Sequence, residues 1–342
     1  MSSGNFLKFL LPIVTFPVLA AFALNFVVGH TQSSGWGEKL RIQCESSETP
    51  YALPYSGITQ VDGALCILVS VFHASFTSVS LPFTFWFLIS AVPVTAFLYV
   101  EAFRRRVPSL PIKYPIIPGI LMQTATFGAT IPMWWLFAIL TGVTNLRPSS
   151  ATTTVAQGHA LAIAFGIFIG MFIPTISMFA LLDPYVTAVW QFFPLFVSFA
   201  IAAHLLVRPT SKDQESGHTI ISILYIASFI FSSSVHLAVV SSRLHDLGRL
   251  KAFFFPSTSV LDLSLNDDLH ALHLLQWDAL FGFGSAILGT LWFARSRMQL
   301  LGLLAWHIVA IPVMGPGAAI TGVALWRESH LNSTEKPVDA KK

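Results

Sequence analysis

Apolar stretches of about twenty residues recur along this chain, almost free of Asp, Glu, Lys and Arg. That length is what a helix needs to cross roughly 30 Å of hydrocarbon. Water is absent from the bilayer core, so the backbone of such a segment must pair with itself, and the only unclosed structure that does so is the helix. The expectation is an all-α, polytopic membrane bundle. Composition agrees: 10% of the residues are charged and the mean hydropathy is +0.70, whereas a soluble domain carries roughly 25% charged residues. A net charge of +3 is too small for nucleic-acid binding, and the basic residues sit at the ends of apolar segments.

Eight segments read as clear spans, over residues 6–28, 81–100, 114–143, 159–182, 186–207, 218–241, 266–293 and 298–326. The first lacks a small-residue cleavage site and reads as a retained helix. Residues 58–79 are less apolar and would make a ninth span, a re-entrant segment or an interfacial one, so eight to nine transmembrane helices are expected. Residues 1–326 then form a single helical domain, followed by a charged, disordered tail over 327–342. Cys44 and Cys66, one in a loop and one in an apolar segment, supply no disulfide framework and no zinc spacing.

The bias of Lys and Arg toward the cytosol orients such a bundle. Placing the 104–113 loop, the 242–265 connection and the tail in the cytosol collects Arg104, Arg105, Arg106, Lys113, Arg243, Arg249, Lys251, Arg327 and the tail lysines there. It leaves Arg147, Arg208, Lys212, Arg295 and Arg297 on the other side. In this arrangement Glu101, Asp183, Asp246 and Asp278 converge on the cytosolic leaflet, and the sequon at Asn332 goes unused. The endoplasmic reticulum is the expected membrane.

The segment from Asn266 to Phe293 carries the strongest chemical signal. A carboxylate in hydrocarbon costs several kcal/mol unless it is paired or neutral, yet Asp278 sits inside this apolar run with no Lys or Arg at i±3 or i±4. At 100° per residue, Asp267, Ala271, Leu274, Asp278, Gly282, Ser285 and Gly289 share one stripe. Stripes of small and polar residues pack closely or line cavities. A carboxyl kept protonated in a dry site is a general acid. Asp62 lies just inside another apolar run, where it either serves chemistry or favours a helix dipole. Glu101 follows twenty apolar residues and precedes three arginines, so neutralisation at the interface competes with catalysis. Asp183 reads as a cap before Pro184, and Asp246 as an ion pair with Arg243 and Arg249.

Among the scattered histidines, His236 and His307 are the deepest and are candidates for supporting the acid. Trp277, Phe281 and Trp306 belong to an aromatic set that reads either as lipid-facing bulk and interfacial belts or as the lining of a cavity. No metal-ligand spacing, phosphate loop, nucleophile elbow or haem motif is present, so neither metal nor cofactor is expected. Asp267-Asp268 lacks the third aspartate of a Mg²⁺-binding prenyl diphosphate motif, since Ala271 stands there.

Tyr55-Ser56-Gly57-Ile58 with Asp62, the apolar run ending Val71-Phe72-His73, and Leu275-Gln276-Trp277-Asp278 before a small-residue helix together resemble the fungal transmembrane terpene cyclases of meroterpenoid and indole-diterpene pathways. The longer type, similar to the ascochlorin and ascofuranone cyclases, fits best, over residues 50–325. The resemblance implies protonation of an epoxide or terminal olefin on a prenyl chain, of farnesyl type, followed by ring closure through carbocations. It implies no diphosphate and no metal, with Asp278, Asp62 and Glu101 as the acids and a lipophilic prenylated molecule and membrane lipids as the partners. The chain is longer than the roughly seven-helix cyclases of related pathways. Two rival functions use the same features: a proton-coupled transporter of a hydrophobic metabolite, for which the internal repeat is missing, and a sterol-type membrane isomerase.

Overall fold

The computed structural model describes residues 3–46, 48–105, 110–148, 153–210 and 215–333. Among the described residues the chain forms seventeen α-helices and no strand. The chain begins with α1 (Ser3–Leu24), which continues through a π turn (Asn25–Gly29) into α2 (His30–Ser33); α3 (Trp36–Glu45) and α4 (Thr59–Ala74) follow. Next come α5 (Leu81–Ala102), the short α6 (Leu110–Lys113), α7 (Ile116–Thr124) and α8 (Phe127–Leu140). A second π turn (Phe168–Phe172) joins α9 (Gln157–Ile167) to α10 (Ile173–Leu181), ahead of α11 (Pro184–Trp190) and α12 (Phe193–Val207). The last helices are α13 (His218–Ser241), α14 (Leu247–Phe254), α15 (Asp267–Thr290), α16 (Arg297–Met314) and α17 (Pro316–Asn332).

Among the described residues six helices are long and apolar enough to cross a membrane, and a seventh span results if the bent pair α11–α12 is one crossing. This is fewer than the eight to nine expected. The difference arises at residues 114–143, at the bend between α11 and α12 and at residues 58–79. Residues 114–143 hold two helices, because the chain turns between α7 and α8 at Thr126, whose φ of 124° lies where few side chains are tolerated. The turn sends α8 back: Pro111 and Ile117, before it, line one cavity with Met133 and Phe137, after it. Residues 298–326 also divide, at Gly315, φ 85°, flanked by Pro312 and Pro316, and α16 then packs along α17, but this run still supplies one candidate span, α16. Residues 58–79 do not span, since α4 lies against α3 and α11 at one end of the bundle.

Each miscounted span exchanges the sides of everything after it, so the expected orientation is corrected as well. One end of the bundle joins the end of α5 to the end of α17 through Arg104 and Arg327, and Arg295 bonds the carbonyls of Thr144 and Leu146 there. That end carries Arg104, Arg105, Lys113, Arg147, Arg208, Arg295, Arg297 and Arg327. The opposite end holds α2–α4, the 182–184 link, α14 and the start of α15, with Lys39, Arg41, Arg243, Arg249 and Lys251. The 242–265 connection therefore lies opposite the 104–105 segment, and Glu101 lies at the end away from α14 and the start of α15. Cys44 and Cys66 are joined in a disulfide that ties α3 to α4, contrary to the expectation of no pairing.

The core is built around α5, α8 and α15, where α15 packs most extensively on α8. The small stripe of α15 makes this possible: a Cβ on Gly282 would come within 2.1 Å of the Phe127 ring, and one on Gly289 within 2.1 Å of Trp135. The final helix runs to Asn332 with Arg327 and Glu328 buried, so the expected tail starts later than Arg327, and residues 334–342 lie outside the described residues.

Candidate active site

The turn at Thr126 sets the first amides of α8 against the middle of α15. Thr126 caps α8 by accepting the Ala129 amide at 3.2 Å, and the Gly128 amide donates to Asp278 Oδ1 at 2.6 Å. The Thr126 hydroxyl also lies beside this carboxyl. Gly128 is needed for the approach, because a Cβ there would stand 2.9 Å from the Asp278 carbonyl oxygen and 3.0 Å from Oδ1. Asp278 is thus buried, without a cationic partner among the described residues, at the amino end of a helix, where unpaired amides meet a carboxyl oxygen.

Asp278 lines a cavity of about 690 Å³. That volume lies within the range of pockets that enclose small ligands. Its wall is mainly apolar and aromatic, with Phe72, Phe87, Phe127, Trp190 and Phe193 from α4, α5, α8, α11 and α12, joined by Met122, Met171, Leu274 and Leu275. Polar side chains enter from Thr31, Gln32, Glu38 and Arg41, of α2 and α3, and from Thr95, Gln123, Thr126 and Gln191. The half-exposed Glu38–Arg41 pair lines the cavity at the α2–α4 end of the bundle.

The other residues singled out in the sequence are dispersed. Asp62 accepts the Ser56 hydroxyl at 2.7 Å, the Ser56 amide at 2.6 Å and the Gly57 amide at 3.1 Å. The Ser56 hydroxyl is the main reason its carboxyl is held below the usual range. An ionised, three-times bonded carboxylate that fixes a turn is poorly suited to donate a proton. Glu101 is buried at the far end of the bundle, where it accepts Arg104 Nε at 2.9 Å and both terminal nitrogens of Arg327, while Arg104 also bonds Glu328 at 2.5 Å. The structure thereby separates Glu101 and Asp62 from Asp278.

Trp277 and Phe281 point from α15 toward α1, where Trp277 stacks on Phe26 at 4.2 Å and donates to the Ser257 carbonyl at 3.2 Å. Trp306 donates to the Ala319 carbonyl at 2.8 Å and fills the seam between α16 and α17. His236 accepts from Trp86 Nε1 at 3.1 Å and approaches the Pro312 carbonyl at 3.2 Å, whereas His307 meets the Thr290 hydroxyl at 2.8 Å. None of these five lines the cavity that Asp278 lines. Asp183 and Asp246 cap α11 and α14, and Asp246 also pairs with Arg249. Among the described residues no group of three His, Cys, Asp or Glu is arranged to hold a metal ion.

Comparison with known proteins adds a family to this geometry. The model of the CtvD domain matches residues 13–331. The chain is 29% identical over 314 residues to terpene cyclase ascI of Acremonium egyptiacum, covering 83% of this chain and 81% of that protein. It is 24% identical over 270 residues to terpene cyclase ctvD of Aspergillus terreus, covering 72% and 76%. It is also 23% identical over 247 residues to FAD-dependent monooxygenase verC1 of Penicillium polonicum, across 68% of this chain but 30% of that one. No solved structure matches.

Proposed function

The chain belongs to the CtvD domain family, and on that premise we propose that it is a membrane-bound terpene cyclase that starts ring closure with a proton from Asp278. The observation that carries the reading is a buried carboxyl without a cationic partner, opening on a largely apolar, aromatic cavity. The substrate is a lipophilic molecule bearing a prenyl chain of farnesyl type with a terminal epoxide or olefin, and the membrane is that of the endoplasmic reticulum.

With Oδ1 engaged by the Gly128 amide, the Asp278 proton resides on Oδ2 and passes to the epoxide oxygen or the terminal alkene carbon. For an epoxide the C–O bond breaks as the proton arrives, and the neighbouring double bond supplies the electron pair that closes the ring. The positive charge then moves along the chain past Phe72, Phe87, Phe127, Trp190 and Phe193, whose ring faces each stabilise a cation by roughly 0.5–2 kcal/mol. An apolar wall keeps water from quenching the cation early. The carboxylate left on Asp278 takes back a proton at the end, so the product has the mass of the substrate. No metal or cofactor enters this scheme.

Asp278→Asn keeps the shape and an acceptor for the Gly128 amide but removes the acidic proton. In microsomes supplied with an aromatic compound carrying an epoxyfarnesyl chain, the variant is expected to insert and fold normally. Formation of the ring-closed isomer should fall roughly 10²-fold or more, the contribution of a general acid. Cyclisation at the unaltered rate by a normally expressed Asp278→Asn protein rules out this role.

A further inference from the structure

The cavity wall contains a second polar group that the protein itself leaves unsatisfied. Gln191 is 5% exposed, lines the same cavity as Asp278, and finds a hydrogen-bond partner for neither Oε1 nor Nε2 among the described residues. An amide buried in that condition keeps the cost of leaving water without the compensating hydrogen bonds unless something else supplies them. It also stands where the span breaks: α11 ends at Trp190, α12 starts at Phe193, and the two axes differ by 63°. Interrupted membrane helices are tolerated where the break borders a cavity, and they commonly mark the ligand. The packing around Gln191 offers no reason for an amide, since Trp190 and Phe193 beside it are buried hydrophobic residues that a leucine or methionine would join without loss.

We propose that Gln191 is a specificity-determining residue that anchors the oxygen-bearing head of the substrate while Asp278 acts on the prenyl chain. Because the amide lacks both a donor and an acceptor, the matching group is one that can donate and accept at once, such as the hydroxyl of a phenol. An epoxide oxygen can only accept, and would leave Oε1 unpaired. Anchoring the head fixes which atom of the flexible chain reaches the Asp278 proton, so Gln191 governs the choice of substrate and the registry of ring closure. The assignment rests on the terpene cyclase reading for the nature of the chain, but its recognition of a hydroxyl is testable by itself.

The test uses the full chain in detergent micelles, with a hydroxyaryl compound bearing an epoxyfarnesyl chain and its O-methyl ether as paired probes. Binding is followed by intrinsic tryptophan fluorescence, turnover by product mass and retention, and folding by thermal unfolding. The unsubstituted protein should bind the free hydroxyl about tenfold or more tightly than the ether, which can still accept from Nε2 but cannot donate to Oε1. Gln191→Met should erase that preference by weakening the hydroxyl compound alone, raise KM more than it lowers kcat, and leave the unfolding temperature unchanged or higher. A preference that survives in Gln191→Met, or a protein that neither Gln191→Met nor Gln191→Leu allows to fold, overturns the assignment and makes Gln191 structural. The two proposals fail separately: hydroxyl-selective binding that depends on Gln191 without any ring-closed product removes the cyclase reading, whereas cyclisation with a preference indifferent to residue 191 removes the anchor.

Discussion

Replacing Glu101 by Gln would leave the guanidiniums of Arg104 and Arg327 buried with one formal negative charge, that of Glu328, between them. Breaking a buried ion pair from one side costs about 3–5 kcal/mol, because the partner keeps its desolvation penalty and loses its compensation. Glu101→Gln should therefore lower the unfolding temperature and the yield, while the protein that remains folded cyclises substrate at the unaltered rate per molecule. A stable Glu101→Gln protein devoid of activity would restore Glu101 as an acid. Glu101 and Asp278 are each a lone carboxyl at the edge of or within an apolar run, but Arg104 and Arg105 follow Glu101 at i+3 and i+4, whereas Asp278 has no basic residue at that spacing. What separates them is the partner: arginines for one, the Gly128 amide and a cavity for the other.

Among the helices, α15 is the element whose sequence pattern translates most directly into packing. Its stripe of Gly282, Ser285 and Gly289 is buried against the aromatic rings of α8, as expected of small residues at a helix contact. Gly289→Ala would drive a methyl group into Trp135, and overpacking of this kind costs roughly 1–3 kcal/mol. The variant should unfold at lower temperature than the parent, whereas Gly302→Ala, with open space around it on α16, should not; equal unfolding temperatures would show that α8 and α15 yield easily. The elements that misled the sequence reading were α7–α8 and α16–α17. Each pair is one apolar run by composition and two antiparallel helices in space, divided at Thr126 and at Gly315. Prolines flagged both runs as irregular, but proline also occurs inside α1, α5 and α16 without reversing them, so its presence does not separate a kink from a turn.

For the molecule as a whole, two independent features orient the bundle. Lys and Arg are more numerous at the end that holds Arg104 and Arg327, and the Cys44–Cys66 disulfide lies at the other, as expected of an end facing an oxidising lumen. The cavity reaches that disulfide-bearing end, where Glu38 and Arg41 line it. An acceptor sequon introduced in the 48–57 connection should be glycosylated in microsomes, and one introduced in the 143–148 connection should remain bare. In sealed vesicles a membrane-impermeant maleimide should label neither cysteine, before or after reduction, until the membrane is permeabilised. The opposite glycosylation pattern would invert the bundle and place the cavity mouth in the cytosol.

The sequence by itself determined that this is an all-helical chain with several membrane-crossing segments, that α15 packs through a small stripe, and that Asp278 is the carboxyl in need of an explanation. Hydropathy and helical periodicity are sums over neighbouring residues, so they survive without knowledge of the fold. Only the tertiary structure decided which carboxyls are paired, which aromatic rings face the cavity and on which side each loop emerges. Those outcomes depend on contacts between segments far apart in the chain, 150 residues for Asp278 with Gly128 and 226 for Glu101 with Arg327. A buried charge is stabilised by whatever stands next to it in space; Arg104 is three residues from Glu101 in the sequence, but Arg327 and the Gly128 amide are recorded in no local pattern.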